Sequence, residues 1–287
     1  MENSTARTGY TTDMNALEWS IVEGLLGGPS KLGRPPRFER RAVLNAIFYL
    51  VRTGGSWRLL PNDLPPWRIV YYYFALWRSE GLWQRIHDAL RDAARVRSGK
   101  KKDPRPRLLR FAHPSGCLRQ AVSLRSAVDS QSVRTTHRGG VRGDDAGKKI
   151  LGRKRHLLVD TDGLILKVRV HAASLQDRDG ATLLLDQIDE PLGDLQLLWA
   201  DGGYAGDKLA GWMTERFGAR PLRLEIVRRS GDAKAFQVLP RRWVVERTFG
   251  WLHRFRRLSK DFEFRTDSSE AFILIAASRL LISRLAA

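Results

Sequence analysis

The chain has a single cysteine, Cys117, in 287 residues, so no disulfide can close within it, and the sequence suits a reducing compartment. No apolar run approaches the roughly 20 residues that a membrane-spanning helix needs. The opening residues, MENSTARTGYTTDMN, have neither the basic start nor the apolar centre of a secretion signal. The six histidines (87, 113, 137, 156, 171 and 253) keep no ligand spacing with the cysteine, which argues against a zinc site. There is no GxxxxGK[ST] phosphate loop and no internal repeat. Acids are scarce: 31 Asp and Glu stand against 50 Lys and Arg, leaving a net charge of +19. Such an imbalance says little about fold and much about partners, pointing to nucleic acid or an anionic surface. A membrane-surface protein would need a basic helix with its greasy face free for lipid. Here the apolar faces look committed to cores, so nucleic acid is favoured over membrane.

A hydrophobic content of 43% with nine Trp is enough for real cores. Residues 1–13 read as a flexible start. The chain then reads as helices over 15–26, 42–51, 67–77 and 82–96, punctuated by Gly27-Gly28-Pro29, Gly54-Gly55 and Gly81. Trp57, Trp67, Trp77 and Trp83 suit a core better than base stacking. A helical hairpin rich in aromatics and Arg is also compatible with a helix-turn-helix DNA reader. Residues 97–119 are basic and broken by prolines. They read either as a solvated linker or as an arm that tracks phosphates, and residues 97–122 are taken as the boundary region.

From Leu124 the period turns toward strands. LRSAVD (124–129) is a short strand, followed by a glycine-rich basic loop from His137 to Lys149. KRHLLVDTDG (154–163) and LILKVRVHAA (164–173) read as two strands around Asp162-Gly163, a strong hairpin signal. A helix over 179–188, a strand over 195–200, a helix over 205–217 and a strand over 222–227 come next. A helix opens at Pro240 and runs toward Lys260, and a last one covers 268–285. In the Pro240 helix, Val244, Thr248, Trp251, Phe255 and Leu258 fall on one apolar stripe; Arg242, Glu246, Phe249, Gly250, His253 and Arg257 fall on the other face. The order predicts an α/β chain: a mixed sheet flanked by helices, preceded by a small all-α N-terminal domain. The domains are expected at 1–96, 97–122 and 123–287. The strand order is that of a ribonuclease H-like fold.

Two strands end in acids, Asp129 after SAV and Asp201 after LLWA. A lone aspartate there is usually a turn or N-cap residue. In an open α/β sheet, however, the ends of adjacent parallel strands line the crevice where chemistry sits. If those strands are neighbours, Asp129 and Asp201 lie side by side and Glu246 could reach them from its helix. Three converging carboxylates repel unless cations sit between them. Hard oxygen donors suit Mg²⁺ or Mn²⁺, and two such ions roughly 3.5–4 Å apart can serve phosphodiester cleavage. Glu246 stands among Arg241, Arg242, Arg247, Arg254, Arg256, Arg257 and Lys260. That setting fits either a solvated basic face or a catalytic acid on a phosphate-gripping helix.

The runs AVDSQSVRTT (127–136), DAGKKILGRKRHLLVDTDGLIL (145–166), HAASLQDRDGA (171–181), WADGGYAG (199–206) and PRRWVVERTFGWLHRFRRLSKDFE (240–263) resemble bacterial insertion-sequence transposases of the DDE class, nearest the insertion sequence 5 family. Residues 54–86 are similar to that family's small helical domain. The resemblance implies a ribonuclease H-like catalytic core with Asp129, Asp201 and Glu246 as a triad holding two Mg²⁺ or Mn²⁺ ions. It implies cleavage of element ends and transfer of their 3′-hydroxyls to target DNA. The partners would be terminal inverted repeats and target DNA, bound by at least a dimer in the bacterial cytoplasm, at the nucleoid. A nuclease of the same fold and a non-catalytic DNA-binding descendant are the alternatives.

The resemblance also implies phosphate contacts from Arg242 and, at the family's lysine position, His253; Leu239 stands at its tyrosine position and Asp144 at another tyrosine. Arg257 is expected at phosphate as well. Arg153, Lys154 and Arg155, with His156, read either as a phosphate-binding loop or as a solvated strand entry. Lys148 and Lys149 carry the same two readings. Arg247 would pair with Glu246 or Asp261. Asp160, Asp177 and Asp179 are expected to be a hairpin neighbour, a loop acid and a helix N-cap.

Overall fold

Helical periodicity at the start of the chain becomes α1 (Ala16–Glu23), α2 (Arg40–Thr53), α3 (Trp67–Ser79) and α4 (Leu82–Arg97). The computed structural model describes residues 9–26, 37–99, 124–137, 140–188, 195–218, 222–227 and 240–287. Asn15 starts α1 with a capping box, its side chain accepting from the Glu18 N–H while the Glu18 carboxylate accepts from the Asn15 N–H. Gly54 ends α2 in the left-handed region at φ 77°, where a side chain is strained, and a Cβ there would also meet the Arg256 backbone at 3.0 Å. The expected stop at Gly27-Gly28-Pro29, Leu239, and the linker beyond Gly99 lie outside the described residues.

Two units interleave along the sequence. One holds Met1–Lys100, Thr135–Gly140 and Leu252–Ala287; the other holds Lys101–Arg134 and Val141–Trp251. The expected domain 123–287 is therefore divided, because its last helix is a core element of the first unit. That helix, α8 as numbered below (Thr266–Ala286), packs on α1 to α4. Its buried residues, Ala271 to Ala277 with Leu281 and Ile282, occupy every side, so it needs partners all round. Phe272 stacks on Phe74 at 4.8 Å and meets Trp57 at 5.9 Å. Arg279 pairs with the buried Glu18 at 2.6 Å. Trp57, Trp77 and Trp83 are buried in this core, as expected, while Trp67 is half-buried beneath the guanidinium groups of Arg58 and Arg68.

The second unit carries the sheet. Its elements are β1 (Leu124–Arg134), β2 (Gly143–Asp145), β3 (Ile150–Asp160), β4 (Ile165–Ala172), α5 (Asp177–Leu185), β5 (Leu195–Ala200), α6 (Asp207–Phe217), β6 (Arg223–Ile226) and α7 (Pro240–Leu252). β3 runs antiparallel to β1, β2 and β4, whereas β1, β5 and β6 are parallel neighbours. The sheet is mixed and flanked by helices, as the element order predicts. Val128, Leu158, Leu166 and Leu198 bury one face against Leu184 and Leu185 of α5 and Leu209 and Met213 of α6. The β3–β4 turn is closed by Gly163 at φ 82° and by the Asp160 carboxylate, which accepts from the Asp162 and Leu164 N–H groups.

Three boundaries differ from expectation. β1 continues to Arg134, β2 lies inside the expected loop, and β3 starts at Ile150. Gly152 explains part of this, since a Cβ there would collide with the Val133 carbonyl; the glycine lets two backbones close up where a loop was expected. The Pro240 helix stops at Leu252, followed by a 3-10 turn over Arg256–Leu258. Its buried face is Val245, Thr248, Phe249 and Leu252, rotated from the expected stripe. The rotation follows from two anchors at the hairpin: Thr248 Oγ1 donates to the Gly163 carbonyl at 2.8 Å and Arg247 donates to the Asp162 carbonyl at 2.9 Å. Arg247 thus pairs with a backbone carbonyl and covers Trp251 at 4.8 Å.

Arg257, expected at phosphate, is buried in the first unit. Its Nε donates to Glu263 at 2.9 Å and its Nη1 to the Gly55 carbonyl at 2.6 Å, with Phe262 and Phe272 rings beside it. Removing one partner of such a pair strands the other charge. Arg257→Met is expected to cost about 3 kcal/mol of stability, read as a lowered urea midpoint. An unchanged midpoint would show that the pair is not structural.

Candidate active site

The parallel pairing of β1 with β5 sets the site. Ala127 pairs with Trp199, and two residues farther along each chain come Asp129 and Asp201. β5 has ended at Ala200, so Asp201 is free to cap the 3-10 turn Gly202–Tyr204, its Oδ1 accepting from the Gly203 N–H at 2.8 Å. Asp129 Oδ1 accepts from the next N–H, Ser130, at 2.7 Å. Burial pushes the Asp129 carboxyl up to about 6, and the Asp201 charge adds to this; the Ser130 N–H, Arg242 and Lys148 pull the other way. The two carboxylates therefore sit close enough to feel each other, with too little positive charge around Asp129 to offset its burial.

Glu246 stands on the exposed side of α7, one turn beyond Arg242. The Arg242 guanidinium links α7 to the sheet acids: its Nη2 is 3.2 Å from Glu246 Oε1 and 3.8 Å from Asp201 Oδ2. Arg242 therefore stands between two members of the expected triad. Among the described residues, no group of three His, Cys, Asp or Glu side chains is arranged as a ready-made metal cage. The donor chemistry nonetheless suits Mg²⁺ or Mn²⁺, since carboxylate oxygens are the preferred ligands of hard divalent ions.

The basic residues divide sharply. Lys148 and Lys149 are exposed in the β2–β3 turn, Lys149 at φ 53°, and the Lys148 charge reaches Asp129. Arg153, Lys154 and Arg155 are 0%, 6% and 3% exposed, which corrects their expected place at phosphate. They belong to β3, where Arg153 Nε donates to the Val141 carbonyl at 2.7 Å and Lys154 Nζ to the Leu175 carbonyl at 2.8 Å. The cause is the early start of β3, which carries the basic run into the ladder. His253 is exposed and lies just past the end of α7.

Sequence reasoning missed the polar cluster behind Asp129. Ser130 Oγ donates to Asp177 Oδ1 at 2.7 Å, and Lys154 Nζ lies 3.1 Å from the same oxygen. Burial raises the Asp177 pKa, but the bonds from Ser130 and Lys154 outweigh it and the net shift is downward. His156 and His171 share a hydrogen bond at 2.8 Å, and burial together with the neighbouring ring holds His156 neutral. Gly180 makes the pair possible, because a Cβ there would strike both imidazoles. Asp177 opens α5 behind the N-cap Gln176, and Asp179 lies in the first turn, where it meets Lys208 at 2.7 Å. The missed signal was the glycine at 180 within HAASLQDRDGA, which implies close packing over the strand.

Known proteins place the chain. The transposase DDE domain family matches residues 121–281, and a family described as "Putative transposase of IS4/5 family" matches residues 14–87. The chain belongs to the transposase DDE domain family. It is 32% identical over 129 residues to "Putative transposase for insertion sequence element IS402" of Burkholderia cepacia, covering 42% of this chain and 59% of that protein. It is 30% identical over 128 residues to "Insertion element IS402 uncharacterized 16.2 kDa protein" of the same organism, covering 42% of this chain and 72% of that one. The chain thus spans less than two thirds of the first relative's length.

The acid pair has a pH signature in chelator-treated protein. A carboxyl with a raised folded pKa binds its proton more tightly folded than unfolded. Asp129 therefore contributes stability at low pH that is lost as pH rises from the unfolded value of 3.8 through about 6. Carboxyl-carbon NMR is expected to show this titration, moving down in Asp201→Asn and up in Arg242→Gln. No response in either variant would mean that the three side chains do not share a field.

Proposed function

We propose that the chain is a DNA transposase of a bacterial insertion sequence, and that it cleaves element ends and joins their 3′-hydroxyls to target DNA. The observation that carries this reading is the meeting of Asp129 and Asp201 on neighbouring parallel strands, with Glu246 linked to them through Arg242, in a chain of the DDE family. An antiparallel β3–β1 pair beside parallel β1, β5 and β6 supports a ribonuclease H-like core.

In the first step, water attacks phosphorus at the element end; the bond to the 3′-oxygen breaks, leaving a 3′-hydroxyl and a 5′-phosphate. In the second, that hydroxyl attacks a target phosphodiester, so one P–O bond forms as another breaks. Asp129, Asp201 and Glu246 would hold two Mg²⁺ or Mn²⁺ ions. When bound, such ions help deprotonate the attacking oxygen and stabilise the leaving one. Asp129, inside β1, and Asp201, just past the end of β5, offer anionic oxygens at fixed places. Glu246, more exposed and on a helix, joins them once Arg242 turns from its carboxylate to a DNA phosphate. Among the exposed or half-exposed bases of this unit, Arg242, Lys148 and Lys149 are proposed for phosphate, and His253 is a further candidate beyond α7. The helical first unit would read the terminal inverted repeats, and pairing two ends requires at least two copies of the chain.

Incubation of the purified protein with a supercoiled plasmid bearing the element ends and Mg²⁺ is expected to give nicked and joined products. Asp201→Ala is expected to reduce both to background. Cleavage without joined product would instead assign a nuclease of this fold, and equal activity in Asp201→Ala would end the triad assignment.

Arg242 yields a separate prediction. It neutralises part of the charge that an ion would otherwise meet, so Arg242→Gln is expected to bind Mn²⁺ more tightly than wild type without DNA, by paramagnetic resonance. Equal or weaker binding would show that the guanidinium does not compete for these carboxylates.

A further inference from the structure

Asp177 reads in sequence as an unremarkable loop acid, but its neighbours connect it to both Asp129 and Asp201. On one side, its Oδ1 accepts from Ser130 Oγ at 2.7 Å, and Ser130 is the residue whose N–H holds Asp129 Oδ1. On the other side, a Cβ added at Gly203 would lie 3.3 Å from Asp177 Oδ2 and 3.1 Å from Asp201 Oδ1. Both carboxylates thus close on the glycine whose N–H holds Asp201. Tyr204, buried beneath this turn, has the charges of Asp129, Asp177 and Asp201 around its hydroxyl; burial first, then those charges, push its ionisation up.

A third acid beside two mutually repelling ones would make the repulsion worse unless its charge were met from elsewhere. Lys154 supplies that charge. Its ammonium lies inside β3, 6% exposed, 3.1 Å from Asp177 Oδ1 and 3.8 Å from Asp145 Oδ2, and donates to the Leu175 carbonyl. The lysine holds Asp177 from behind, on the side away from the Gly203 turn. A buried lysine with two carboxylates and a carbonyl in reach is committed, which explains why this base is absent from the surface.

We propose that Asp177 is a positioning residue for Asp129 and Asp201: anchored by Lys154, it fixes the β1 segment through Ser130 and packs against the Gly203 turn that holds Asp201. Its role is to keep two like charges at a set separation before any cation arrives. An outer group of this kind orients the ligands without being one. The inference rests on the proposed use of Asp129 and Asp201 as metal ligands. It assigns to Asp177 and Lys154 a part in the site that neither had in the sequence reading.

The test is Mn²⁺ binding to the full-length protein, followed by paramagnetic resonance, with thermal unfolding run in parallel. Asp177→Ala is expected to weaken binding roughly 10- to 100-fold, the range found for groups that orient metal ligands. Asp177→Asn keeps an acceptor for Ser130 and Lys154 and is expected to recover most of the affinity. Ser130→Ala should weaken binding too, and the double variant Ser130→Ala/Asp177→Ala should lose less than the two losses combined, because both break the same link. Unchanged affinity in Asp177→Ala would overturn the proposal, whatever happens to its unfolding temperature. So would equal deficiency of the Ala and Asn variants, or additive losses in the double variant. Asp201→Ala separates the two readings: if it binds Mn²⁺ as wild type does, the metal assignment fails and the positioning role falls with it. If it loses binding while Asp177→Ala retains it, only the positioning role fails.

Discussion

Two carboxylates are held side by side because β1 and β5 are parallel neighbours, and much else in the sheet unit answers to that constraint. Asp129 bears the cost: burial first, and then the neighbouring Asp201 charge, hold its proton up to about pH 6. Three devices limit that cost. Backbone N–H groups from Ser130 and Gly203 point at the two acids. Arg242 brings a guanidinium from α7 to Asp201 and Glu246. Lys154, from within the sheet, meets the charge of the third aspartate, Asp177. Asp129 remains undercompensated, with burial outweighing the donors and cations around it.

The large positive charge of the chain is divided by burial. Lys148 and Lys149 are exposed and Arg242 is half-exposed. Arg153, Lys154, Arg155 and Arg257 are interior groups, and the partners of Arg153, Lys154 and Arg257 include carbonyls and carboxylates within their own units. Counting basic residues thus overstates the surface field. A buried arginine fixed by a carboxylate organises a loop or strand, and its loss would appear as instability before it appeared as weaker binding to nucleic acid.

How much of the site was legible follows from the range of each interaction. That β1 and β5 would be neighbours was readable from the order of elements, but the expected end of β1 at Asp129 was not met, because pairing with β3 carries the strand on to Arg134. The hairpin at Asp162-Gly163 and the stop at Gly54 were readable because a left-handed turn needs glycine whatever surrounds it. The start of β3 was not, because Gly152 reads as a loop breaker until the Val133 carbonyl comes close to it. The buried face of α7 was misjudged by about one residue, since Thr248 and Arg247 bond to the hairpin turn and override the hydrophobic stripe. Asp177 was passed over because its partners, Ser130 and Lys154, are 47 and 23 positions away in the chain.

By itself, the sequence determined most element types, the net charge of +19, and the places of Asp129, Asp201 and Glu246 on neighbouring elements of one sheet unit. All of these depend on residue identity and short-range periodicity, which survive without a fold. Tertiary structure alone decided which lysines and arginines are interior, that α8 belongs with the N-terminal helices, and that Arg242 stands between Asp201 and Glu246. Burial and ion pairing depend on what packs across from a residue, and that neighbour is often tens or hundreds of residues away. The same sequence of basic side chains would be a phosphate loop on a surface, and in β3 it is buried among carbonyls and carboxylates of its own unit.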